Sequence, residues 1–264
     1  MSGSDSATAE ATISHGRVWR LAGPIILSNI TVPLLGAVDT AVVGHLSEAY
    51  HLGAVAVGAM IFNFLYWAFG FLRMGTTGFT AQAYGAGDGD EVRANLARAL
   101  LLAVALGLAM VALQGPIAAV AFGLLEASPQ VEQSARLYVV IRIWAAPAAL
   151  AGFALLGWFI GIQNTRAALL VQLAMNGVNI VLDLIFVLGF GWGVAGVAVA
   201  TLIAQYAGLG VGLWLVRQNL SRIGGHFRNA SIWHGRRLRR LFAVNFDIFL
   251  RSLFLLFASA YFTA

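Results

Sequence analysis

Three acids lie inside long apolar stretches of this 264-residue sequence: Asp39, Asp183 and Asp247. An ionisable group in such a stretch costs roughly 2.5–3.5 kcal/mol on membrane-insertion scales, so it usually faces a cavity or a partner. Asp183 has polar company. Asn179 precedes it by four residues and Asn176 by three more, which places all three on one helix face. In the next apolar stretch, Thr201 and Gln205 repeat the four-residue step. A carboxylate held away from water protonates more readily, and a second one nearby strengthens the effect. The same oxygens, with Asn179 and Thr201 as neutral ligands, also suit Na⁺. The chemistry on offer is reversible binding of H⁺ or Na⁺ at Asp39 and Asp183, with Asn176 and Gln205 as supporting polar groups.

The remaining charges read as structural. Arg251 follows Asp247 by four residues, a spacing that predicts an intrahelical ion pair near the interface. Arg142, placed near the external end of its apolar stretch, is expected to snorkel to the headgroups. The five histidines fall in tails and loops without metal-ligand spacing. HExxH, GxSxG, Walker A and GxGxxG fingerprints are absent, so neither an enzyme nor an organic cofactor is expected.

The elements that must position these groups are membrane helices. The chain is 60% hydrophobic and 10% charged, with a mean hydropathy of +0.83. A soluble domain needs roughly a quarter of its residues charged. A spanning helix needs about 20 mostly apolar residues. Six stretches qualify: Leu21–Val43, Leu52–Leu72, Asn95–Leu113, Tyr138–Ile160, Ala167–Gly189 and Val194–Val216, and a seventh begins at Leu241. Pro116–Leu125 is too short to span; it extends the third helix past a break or lies in the interface. Six aromatics crowd residues 62–71, and packing or lipid contact is expected of most.

All sixteen basic residues are arginine, and they sit between the apolar stretches. With the N-terminus inside, thirteen fall in cytoplasmic segments and only Arg136 in an external loop, as the positive-inside rule requires. Membrane lipids, not nucleic acid, are the expected partners of this charge. The expected fold is all-α: a polytopic transmembrane helix bundle with a cytoplasmic N-terminus. It divides into a disordered tail at 1–14, a six-helix lobe at 15–216, a basic linker at 217–240 and a further helix at 241–264.

In this arrangement Asp39 lies ~10 Å and Asp183 ~8 Å outward of the midpoints of their helices, at 1.5 Å per residue. Thr201 falls near the same level. The first helix also carries Pro24 and Pro33, each of which removes a backbone N–H and permits a bend.

Several motifs together resemble the multidrug and toxic compound extrusion (MATE) family. They are Arg20-Leu-Ala-Gly-Pro-Ile-Ile-Leu-Ser-Asn, Val38-Asp-Thr-Ala-Val-Val-Gly-His-Leu, Leu72-Arg-Met-Gly-Thr-Thr-Gly-Phe-Thr-Ala-Gln-Ala-Tyr-Gly and Gly161-Ile-Gln-Asn-Thr-Arg. Asn179-x3-Asp183 and Asn245-Phe-Asp-Ile-Phe-x-Arg251 fit the same family, in the branch named after DNA-damage-inducible protein F. The resemblance implies an antiporter of the bacterial inner membrane that expels amphipathic, often cationic compounds in exchange for H⁺ or Na⁺. It places the family's first-helix aspartate on Asp39 and its bend proline on Pro24. The other ion-site positions fall on Asn179, Asp183 and Thr201. It further implies two six-helix lobes. The chain then corresponds to the first lobe plus one helix, a piece of a longer transporter whose second lobe is the missing partner. Two rival functions are a lipid-linked precursor flippase and a membrane fragment that transports nothing. Acidic and neutral groups at mid-membrane argue against the anionic substrates of the flippase.

Overall fold

The structure, a computed structural model, describes residues 50–125, 127–227 and 243–251, with isolated positions at 23, 26, 27, 38, 41, 42, 44, 235, 239 and 254. Asp39 and Pro24, and with them the first-helix calls on ion binding and bending, lie outside the described residues.

The described chain is helical and runs up and down. The first two helices, α1 (Tyr50–Ala68) and α2 (Phe71–Gly85), are joined by a turn at Phe69-Gly70 into one 36-residue rod. α3 (Gly89–Ala112) returns, and the short α4 (Gln114–Leu124) follows after Leu113. α5 (Pro129–Arg142) and α6 (Ala146–Gly161) form a second long rod of 33 residues, interrupted by one 3₁₀ turn at Ile143–Ala145. α7 (Thr165–Asp183) widens into a π-helical segment, Leu184–Gly189, and α8 (Gly193–Leu220) closes the lobe. Residues 243–251 are helical too. Five helices among the described residues are long and apolar enough to cross a membrane.

Local chemistry sets the boundaries. Asp88 caps α3 by accepting from the Glu91 N–H at 2.9 Å, and Asp90 and Glu91 stand at the positive end of its dipole. Pro129 opens α5, where a missing N–H costs nothing. The α6–α7 corner takes its shape from Gln163 and Asn164. Gln163 adopts a left-handed φ of 60°, and the Asn164 carboxamide accepts from the Ala167 N–H at 3.1 Å. The motif Gly161-Ile-Gln-Asn-Thr-Arg is thus a helix-to-helix turn.

The helices outrun the stretches expected from hydropathy. α3 starts six residues before Asn95, and the α1–α2 rod ends at Gly85 instead of Leu72. The extra turns at that end are polar, and they pack on one another rather than on lipid. Arg93 donates to the carbonyls of Leu220 (2.6 Å) and Ile223 (2.7 Å), binding α3 to the last turn of α8. The Asp90 carboxylate accepts from the His226 N–H at 2.6 Å, and Asn164 donates to Asn219 at 2.8 Å. The α2–α3 and α6–α7 corners and the end of α8, which carry Arg93, Arg166, Arg217 and Arg222, are thereby gathered at one end of the bundle. The opposite end is marked by Arg136 over the Phe122 ring, 4.5 Å away.

Arg98 is 4% exposed and pairs bidentately with Glu91 at 3.0 Å. Three charges sit differently from their expected places. Asp247 and Arg251 form no ion pair; both are exposed, where water competes with the small gain of such a bridge. Arg142 turns inward: its Nη1 donates to the Tyr138 hydroxyl at 2.6 Å, and its guanidinium lies 4.8 Å from the centre of the Phe62 ring. A protein hydroxyl and an aromatic face replace the headgroups it was expected to reach.

Candidate ion-coupling site

The buried face of α7 is where the polar stripe runs. Asn176, Asn179 and Asp183 are 5%, 2% and 0% exposed, while Leu173, Val181 and Leu184 on the other faces are exposed. A helix that turns amides and a carboxylate inward and leucines outward is built for lipid outside and polar contact within.

What those groups face follows from the register of α7 against α8. A Cβ on Gly208 would lie 3.0 Å from the Met175 Cβ, and one on Gly196 would lie 3.2 Å from the Phe186 Cβ. With the Asn164–Asn219 bond, these contacts define an antiparallel pair in which each step up α7 matches a step down α8. Asp183 then falls level with Ala200, next to Thr201, and Asn179 falls level with Ala204. Both alanines are buried, at 0% and 1% exposure. Small side chains opposite Asn179 and Asp183 let the two helices approach closely around the polar groups.

The polar groups differ in how they are satisfied. Asn176 accepts from the Gln172 carboxamide at 3.0 Å. The Thr201 hydroxyl, partly buried, donates to the Val197 carbonyl at 2.9 Å, which leaves its oxygen lone pairs available to a ligand. The Asn179 Nδ2 is buried and makes no hydrogen bond among the described residues. Gln205 is partly buried one turn from Thr201.

One feature here was not expected from the sequence. Asp183 is the last α-helical residue before the π segment, in which the Phe190 N–H reaches the Ile185 carbonyl at 2.9 Å. Wide turns of this kind occur frequently at functional sites. The run Leu-Ile-Phe-Val-Leu-Gly carries no residue that marks it in advance. Val42, in the first apolar stretch, belongs to the large apolar cluster of the lobe that also takes in Val187, Val194 and Val197, and Val38 packs against that cluster.

Apolar rods that gather arginines at one end and turn a polar stripe inward define a polytopic membrane helix bundle. Comparison with known proteins agrees. The MatE family model matches residues 24–185. DNA damage-inducible protein F of Escherichia coli (strain K12) is 47% identical over 246 residues, covering 92% of this chain and 53% of that protein. A probable multidrug resistance protein NorM of Caulobacter vibrioides is 32% identical over 219 residues, 79% of this chain and 45% of its own. A crystal structure of MATE in the straight conformation superposes with a TM-score of 0.78 at 22% identity, covering 90% of this chain and 53% of that one. The chain belongs to the MATE family and is a multi-pass membrane protein, not an enzyme. It spans about half the length of the relatives it matches.

Proposed function

We propose that this lobe serves a secondary antiporter that exports amphipathic, cationic compounds in exchange for H⁺ or Na⁺. The observation that carries the reading is the sequestered carboxylate of Asp183, fully buried on the inner face of α7. A charge kept there at such cost is suited to binding and releasing a cation, not to holding the fold together. Asn179 offers a buried amide one turn away, and Thr201 a hydroxyl level with the acid. Asp39 completes the proposed set. Val38, its neighbour, and Val42, three residues on, share the large apolar cluster of the lobe that also takes in Val187, Val194 and Val197.

Occupation of the site by a cation would change charge and hydrogen bonding beside the first helix, where Pro24 supplies a place to bend. Rocking of one bundle against another needs a second lobe, so the lobe described here acts with one in this reading. Drug efflux into proteoliposomes under an imposed proton or sodium gradient tests the proposal. Asp183→Asn and Asp39→Asn, each neutral in both states, are expected to uncouple export from the driving ion. Unchanged coupling in both variants rejects the assignment.

A further inference from the structure

At the arginine-rich end of the lobe, a groove of about 410 Å³ opens at the surface beside the last two turns of α8. Leu213, Val216, Arg217 and Leu220 share one face of α8 and line it. Arg93 of α3 and Phe227 complete the lining, which includes no carboxylate among the described residues. The groove is therefore apolar along its length and carries two positive charges with no acid to balance them.

The two cations are held differently. Arg93 spends Nη2 on the Leu220 and Ile223 carbonyls, and its guanidinium lies 5.4 Å from the centre of the Phe227 ring. Arg217 is exposed, and its side chain makes no hydrogen bond or ion pair among the described residues. Unpaired carbonyls at a helix C-terminus ordinarily repel an anion. Here Arg93 already closes them, so the end of α8 does not oppose negative charge in the groove.

The depth of the groove follows from the tryptophans of α8. Trp192 and Trp214 are 50% and 60% exposed at the two ends of the span. Their separation in sequence corresponds to ~33 Å at 1.5 Å per residue, close to the roughly 30 Å of a hydrocarbon core. Tryptophans so placed mark the two membrane interfaces. Arg217 lies about one turn beyond Trp214, in the headgroup layer, while Leu213 is 44% exposed on the hydrocarbon side of that boundary.

We infer that this groove is a binding site for one anionic phospholipid. The phosphate takes the Arg217 guanidinium with the Arg93 charge beside it, and an acyl chain runs past Leu213 into the membrane. Arginine's planar fork matches phosphate bidentately, and basic pockets on the cytoplasmic side of a membrane suit acidic headgroups. A zwitterionic headgroup fits less well, because its ammonium meets two guanidinium groups and no carboxylate. The lipid would join the end of α8 to α3 from outside. This inference is independent of the antiporter reading and of the ion site.

The test titrates the detergent-solubilised protein with phosphatidylglycerol or phosphatidylethanolamine of matched acyl chains and counts bound lipid by native mass spectrometry. The wild type is expected to bind phosphatidylglycerol about tenfold tighter than phosphatidylethanolamine. Arg217→Gln, at an exposed position, should weaken phosphatidylglycerol about fivefold and leave phosphatidylethanolamine unchanged. Arg166→Gln, exposed at the same end but outside the groove, should change neither. Glycerophosphoglycerol, the headgroup without its chains, should displace the lipid only in large excess. Equal binding of the two lipids overturns the inference. Equal losses in Arg217→Gln and Arg166→Gln overturn it in favour of diffuse attraction. Displacement by equimolar glycerophosphoglycerol overturns it in favour of a soluble phosphate ligand.

Discussion

The side-chain amide of Asn245 sits over Gly75, in space that any other residue at that position would fill. Asn245 is 6% exposed, and one helical turn on, the Phe249 ring meets Phe71 edge to face at 6.1 Å. The helix at 243–251 is thus seated on α2 by a glycine notch and an aromatic pair.

Gly75→Ala is expected to lower the melting temperature of the protein in detergent, at a cost of about 1–3 kcal/mol from overpacking. Asn245→Ala in the same background should recover most of the loss by vacating the notch. Thermal unfolding of the two single variants and the double variant closes the cycle; additive losses would show that the two residues do not meet.

The Arg98–Glu91 pair is bidentate and enclosed, with Asn95 accepting a further bond from Arg98 at 2.8 Å. Removing one partner strands a buried charge. Glu91→Ala should therefore cost about 3–5 kcal/mol, several times the loss from Glu132→Ala in the exposed pair with Arg136. Similar losses would mean that the inner pair is solvated.

Arg93 closes three groups at the end of α8, including a longer contact with the Gly224 carbonyl at 3.5 Å. Arg93→Gln is expected to speed amide exchange at the last turn of α8 and through residues 221–224 while the middle of the lobe keeps its protection. Uniform exchange changes across the lobe would point to global destabilisation instead.

Asn164 acts in two directions, capping α7 with its oxygen and reaching Asn219 with its nitrogen. Asn164→Ala should lose both and cost about 1–2 kcal/mol. Asn164→Asp, which retains the cap, should lose about half of that. Equal losses would assign the whole effect to the α7–α8 bridge.

Much of this architecture is legible in the residue order. Twenty-residue apolar runs can only be spans, and the 3-and-4 spacing of Asn176, Asn179 and Asp183 can only be one face. Hydropathy stops at the lipid boundary, however, while helices do not. The turns from Arg73 to Gly85 and from Gly89 to Ala94 are held by protein contacts that no local window senses. The direction of Arg142 is hidden for a related reason. Its neighbours in sequence permit snorkelling, and only Phe62, eighty residues earlier on another helix, turns the guanidinium inward. The pairing of Asp247 with Arg251 fails on the converse ground, since favourable spacing gives an exposed pair little reason to form.

The wide turns at Leu184–Gly189 have a consequence for how α7 can move. A π segment advances fewer degrees per residue than an α-helix, so the residues beyond it are rotated about the axis relative to those before it. Converting these turns to α-helix would twist Phe190 and Trp192 around the axis and slightly lengthen the segment. Asp183 stands at the seam between the two phases, the one buried acid among the described residues. A change of helical phase at this seam would therefore reach Phe190 and Trp192 as rotation.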